Sequence, residues 1–140
     1  MAQTQLCYVA GLGCRRHCTE QTLLELLTHS LAAQQLPLSA LSALATAEHK
    51  QQELGLLQLA AYLNLPLYAL PAAQLARYES RLTQQSALSQ QTSGSSGVAQ
   101  ASALALAEQL SGQSAKLLGP RHNNAQATCA LAVAVLQEQL

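Results

Sequence analysis

The chain has 140 residues, 7 Lys+Arg against 7 Asp+Glu, a net charge of +0 and only 10% charged residues. So neutral a chain lacks the basic footprint of a nucleic-acid binder and the cationic face of a membrane-surface protein. Asp, Phe, Ile and Trp are absent, which removes Asp-based calcium or magnesium loops and any Ser-His-Asp triad.

The apolar run Gln5 to Ala10 predicts a first strand ending at Gly11. Thr19 reads as the N-cap of a helix carrying Leu23, Leu24, Leu27 and Leu31 and ending near Leu36, before Pro37. Ala40 to Ala45 reads as a second strand. Thr46 then reads as the cap of a helix from Ala47 to about Leu63, with Leu54, Leu57, Ala60 and Ala61 on its buried face. Pro66 to Leu70 reads as a third strand, and Pro71 opens a helix to about Leu82.

From Thr83 to Ser96 the chain is Gln- and Ser-rich and reads as a long loop ending Ser93-Gly94-Ser95-Ser96-Gly97. An Ala/Leu helix follows from Val98 to Leu110. Ser114 to Leu118 and Ala127 to Val135 read as two final strands, joined through turn residues at Gly119-Pro120 and Asn123-Asn124. The Ala-rich tail from Thr128 to Gln139 also reads as a helix on propensity, and the two readings stand side by side. The alternation predicts one domain over residues 1–140. Its expected architecture is a three-layer α/β/α sandwich with a mixed sheet, parallel in its first half and ending in a hairpin.

The four cysteines, Cys7, Cys14, Cys18 and Cys129, read as reduced thiols. No stretch looks like a signal peptide or a bilayer span, so a cytoplasmic location is expected. Cys14, His17 and Cys18 have no second paired cluster, so no metal and no cofactor is expected. Gly11 and Gly13 lack the rest of a dinucleotide fingerprint. Cys14 beside Arg15 at a helix entrance predicts a lowered thiol pKa. His17 is placed to assist such a thiol, but there is no Asp to orient it, so a cysteine hydrolase is not expected. His29, His49 and His122 read as exposed polar residues.

Ligands of open α/β sheets bind beyond the carboxyl ends of the strands. Three segments are expected to meet there. Gly11 and Gly13 turn the backbone tightly toward a ligand, and Cys14, Arg15 and Arg16 follow at a helix entrance. Thr46, Lys50 and Glu53 start the second helix, where Lys50 and Glu53 also form an ordinary i,i+3 pair. Ser96 and Gly97 close the Ser/Gly loop. Helix N-termini, hydroxyls and three cations make an anion-binding edge.

Gly11-Leu12-Gly13-Cys14-Arg15-Arg16, leading from a strand into a helix, resembles the signature of the CobE family, which is also the C-terminal domain of CbiG proteins of cobalamin biosynthesis. The similarity continues through Leu44-Ala45-Thr46 with Lys50, Glu53 and Gly55-Leu56, through Leu65-Pro66-Leu67, and through Gly97-Val98-Ala99-Gln100. It ends with Lys116 and Thr128-Cys129-Ala130-Leu131-Ala132. Gln100 stands where many members carry an acid, and His17-Cys18 replace small residues. The resemblance implies a role in corrin-ring synthesis. The ligand would be a flat, apolar precorrin or corrinoid rimmed with carboxylates, held by Arg15, Arg16 and Lys50, with Leu12 against the ring. Three roles follow from it. The first is a carrier or accessory protein for that intermediate. The second is an enzyme of the lactone-opening type, with Glu53 or His17 as acid/base and Lys50 or Arg15 stabilising charge. The third is a structural partner of other pathway enzymes.

Overall fold

Side chains alternate along the first strand, and that alternation separates two hydrophobic cores. In the computed structural model of the protein the described residues are 5–15, 17–79, 96–119, 121–124 and 126–136. Strand β1 (Gln5–Cys14) sends Cys7 and Val9 to one face and Ala10, Leu12 and Cys14 to the other. Helix α1 (Glu20–Ala33) follows, then β2 (Leu41–Ala47), α2 (Leu54–Leu63), β3 (Leu67–Leu70), α3 (Ala72–Glu79) and α4 (Ser96–Ser111). The chain continues through β4 (Ala115–Leu117) and β5 (His122–Asn123) to β6 (Ala127–Leu136). Of the expected loop over 83–96, residues 83–95 lie outside the described residues, as does the last turn of the third helix, while α4 starts at Ser96 rather than at Val98, so Ser96 and Gly97 are helical.

The sheet order is β3-β2-β1-β6-β4, with β5 also pairing β6. β3, β2 and β1 are parallel. β6 runs antiparallel to β1 from Gln5↔Leu136 to Cys14↔Ala127, and β4 and β5 are antiparallel to β6. Leu23, Leu27 and Leu31 of α1 pack with Leu56 and Leu59 of α2 on one face. Leu75 of α3 and Leu104 and Leu106 of α4 pack on the other. The expected mixed sandwich with a closing antiparallel hairpin is what forms. The C-terminal segment is a strand, because pairing with β1 and β4 overrides the helix propensity of its alanines. His122 is half-buried rather than exposed, its ring edge-on to that of His29 at 5.0 Å.

Three local readings are corrected. Gly11 and Gly13 do not make a tight turn: β1 runs four residues past Ala10 and contains both. Gly11 is instead where α4 crosses the sheet. A Cβ there would collide with the carbonyl oxygen of Ala99 and come within 2.8 Å of Ala103 N and Ser102 Oγ. Thr46 does not cap a helix. It lies in β2, fully buried, and its hydroxyl donates to the Leu12 carbonyl at 2.8 Å, tying the two strands near their ends. The second helix starts not at Ala47 but at Leu54, after a 3-10 turn over Glu48–Lys50. α1 likewise stops at Ala33, short of Leu36.

The close approach at Gly11 should be intolerant of one added methyl group. Gly11→Ala is expected to lose about 1–3 kcal/mol of stability, the usual cost of overpacking a closed contact, read as a lower urea midpoint.

Candidate functional site

The parallel strands β1, β2 and β3 end at Cys14, Ala47 and Leu70, and the segments leading into α1, α2 and α3 leave from that edge. The N-terminal end of α4 reaches the same edge, since Ala99 abuts Gly11. Arg15 follows directly from β1. Its backbone N–H donates to the Gln126 carbonyl at 2.9 Å, and its own carbonyl accepts from Cys18 N at 3.2 Å. The far side of this anchor is shaped by Asn124, whose Oδ1 accepts from the N–H groups of Gln126 and Ala127, both at 2.8 Å. The Arg15 side chain is exposed and has no polar partner among the described residues.

The loop then turns back onto α2. His17 takes a left-handed backbone conformation, φ 64°, and its N–H donates to Glu53 Oε2 at 2.9 Å. The other oxygen, Oε1, faces Lys50 Nζ at 3.9 Å, a loose ion pair beyond hydrogen-bond distance. A Cβ at Gly55 would collide with the Cys18 carbonyl, so the absence of a side chain lets the first turn of α2 rest on this loop. Thr19 closes the segment as the expected cap of α1, accepting from Thr22 N at 3.1 Å.

Beneath the loop the Cys14 and Cys18 thiols are buried, and Cys18 Sγ donates to the Thr19 carbonyl at 3.9 Å. The expected acidic thiol is overturned. Burial, with smaller contributions from Cys18 and the Glu53 carboxylate that outweigh Lys50, pushes Cys14 up to about 12. Burial and Glu53 raise Cys18 as well. Both are protonated at neutral pH and poorly suited to nucleophilic attack.

Of the residues read from the sequence, the structure brings together Cys14, Arg15, His17, Lys50 and Glu53. Gly13 and Thr46 are buried in the strands below, and Gly11 is filled against by α4. Leu12 is 0% exposed, so it does not meet a ligand. Ser96 and Gly97 open α4, Gly97 half-buried, while Arg16 and Ser93 to Ser95 lie outside the described residues. Among the described residues no group of three or more His, Cys, Asp or Glu is placed to hold a metal. The expected buried face of the second helix is corrected: Leu54 is 63% and Leu57 42% exposed on the first turn of α2 after Glu53, and Ala61 is exposed too, while Gly55, Leu56, Leu59 and Ala60 are the buried residues. The signal was present. Leu54, Leu56, Leu57 and Leu59 within one short helix are more than a single buried stripe accommodates.

Fold and edge together define a three-layer α/β protein with a mixed open sheet. Its parallel strand ends carry a buried thiol pair, a lysine–glutamate pair, an exposed arginine and two exposed leucines. The chain belongs to the cobalamin synthesis G C-terminus family, whose model matches residues 8–132, and so to the CobE/CbiG-like proteins of cobalamin biosynthesis. The structure of CobE, a protein from the cobalamin (vitamin B12) biosynthetic pathway, matches with a TM-score of 0.83 and 42% identity, covering 92% of this chain and 94% of that one. Cobalamin biosynthesis protein chiG from Agrobacterium tumefaciens str. C58 matches with a TM-score of 0.67 and 30% identity, covering 89% and 96%. A cobalamin biosynthesis protein G homolog from Sulfolobus solfataricus shares the fold at a TM-score of 0.63 and 17% identity, over 91% of this chain and 37% of that one. Among curated protein sequences none matches. The family read from the Gly-x-Gly-Cys-Arg-Arg element is therefore the family of the chain.

The thiols predict the alkaline behaviour of the fold. Cys14 and Cys129 both have folded-state pKa values of about 12, raised chiefly by burial from the ordinary 9.0. Below pH 9 both states hold the protons and the full stability is present. Above it the unfolded chain ionises first, so stability falls as pH rises from about 9 toward 12. Each thiol contributes a slope approaching about 1.4 kcal/mol per pH unit. Urea unfolding at pH 8 and pH 10 measures the loss, and Cys14→Ser should lower the slope by the share of one thiol, the raised Cys7, Cys18 and Cys129 keeping theirs.

Proposed function

We propose that this protein binds a polycarboxylate corrinoid or precorrin intermediate at the carboxyl edge of β1 and β2, and acts as a cytoplasmic carrier or accessory protein of corrin-ring synthesis. The proposal takes residues 1–140 as one domain and the pathway enzymes as the partners that deliver and receive the ligand. No helix among the described residues is long and apolar enough to cross a membrane. The supporting observation is Arg15. It is an exposed guanidinium without a polar partner among the described residues, on a loop that is held from both sides and bonded through His17 to Glu53, whose helix carries the exposed Leu54 and Leu57. A flat ring with acidic side chains needs that combination: cationic forks for the rim and exposed apolar side chains for the face.

The rival reading as a lactone-opening enzyme needs Glu53 as a free acid or base. Glu53 spends one oxygen on His17 N–H and points the other at Lys50, which suits it to holding the loop. Its support is correspondingly weaker.

A visible-absorption titration with hydrogenobyrinic acid at low salt tests the proposal on wild-type protein and Arg15→Ala/Arg16→Ala. The wild type should bind saturably. The variant should bind at least about 10-fold more weakly, since a charge-assisted contact contributes about 1.5–3 kcal/mol. Equal binding by both proteins places the ligand elsewhere, and no binding by either overturns the carrier reading for this compound.

A further inference from the structure

The geometry points to a second ligand site, at the opposite end of the sheet from the arginine edge, that accepts an amphipathic organic anion: an apolar ring system or chain carrying one acidic group.

The site exists because α1 is shorter than the strands it covers. Its 14 residues span about 21 Å, while the ten residues of β1 span about 33 Å. α1 covers Ala10, Leu12 and Leu131. Beyond its C-terminal end the same face of β1, β6 and β4 is left open. Register aligns Tyr8, Val133 and Lys116 in one row across the three strands, and Leu6 and Val135 in the next. Leu6 is 43% and Val135 47% exposed, high values for apolar residues of paired strands. Leu36 and Leu118 wall the two sides, and the resulting cleft has a volume of about 600 Å³. That is the size of small-molecule sites, which are mostly apolar with a few polar groups.

The polar groups show what it would hold. Lys116 is the one charged side chain among the described lining residues, and no carboxylate is paired with it among the described residues. Tyr8, Gln34 and Ser114 add neutral donors and acceptors at the rim. A recess with an apolar floor, one ammonium and no acid complements a single negative charge on an apolar body. It does not complement a macrocycle rimmed with many carboxylates, so this site is independent of the one proposed above.

The probe is 8-anilinonaphthalene-1-sulfonate, compared with N-phenyl-1-naphthylamine, the same ring system without the charge. Wild-type protein should bind the sulfonate at one site with enhanced fluorescence. Lys116→Glu, a change at an exposed position, should weaken the sulfonate at least 10-fold and leave the uncharged dye within two-fold. Val135→Trp, which fills the cleft from a position that tolerates an aromatic residue, should reduce both. Circular dichroism confirms that each variant is folded. Absence of saturable binding to the wild type overturns the inference, and so does sulfonate binding that neither substitution alters.

Discussion

The structure depends on β1 being paired along its length. On one side it continues the parallel half of the sheet through β2, and on the other it forms a ten-pair antiparallel ladder with β6. Its side chains feed both cores, so a slip of one residue would exchange Cys7 and Val9 with Tyr8 and Ala10 and empty both. The ladder also delivers the candidate site. Its last pair is Cys14 with Ala127, and the next backbone contact is Arg15 N–H to Gln126. Arg15 thus sits one residue beyond a rigid strand, on backbone whose position is set by the core. The buried Thr46 hydroxyl on the Leu12 carbonyl locks β2 to the same register.

The order of strands and helices was legible because apolar runs of strand length alternate with Leu-rich helical spacing. Thr46 was not. A threonine between an apolar run and Glu48 looks the same whether it caps a helix or ends a strand, and only its tertiary bond to Leu12 distinguishes the two. Gly11 posed the same problem, since a glycine needed for a turn and one needed for helix approach are written identically. In the site, the cations were legible because they are scarce. Leu54 and Leu57 were not, because a leucine at helical spacing is assigned to the core by default. The thiol shift had the wrong sign because proximity to arginine in sequence said nothing of burial or of Glu53, 39 residues further along the chain.

Glu53 links the two halves of the candidate site. Its carboxylate, accepting the His17 N–H, holds the arginine loop against α2 in a left-handed turn that a non-glycine residue adopts reluctantly. Its remaining oxygen meets Lys50 only at 3.9 Å. The two side chains are 21% and 15% exposed, so the charges face each other in a largely desolvated place without a hydrogen bond between them. The pair is neutral in itself and leaves Arg15 as the unpaired charge of the edge among the described residues.

The same carboxylate decides how the starts of the two helices are capped. Thr19 caps α1 and uses the Thr22 N–H, so α1 contributes less at its N-terminus than its place at the strand ends suggests. Glu53 occupies the N-cap position of α2 but makes no side-chain cap bond there, because it is turned toward His17. The first turn of α2 therefore has no side-chain cap, and the loop that carries Arg15 rests on it, the Cys18 carbonyl lying against Gly55. Glu53 thus joins three elements, the loop after β1 through His17, the 3-10 turn through Lys50 and the start of α2 on which it lies, and the proposed anion edge would depend on that junction.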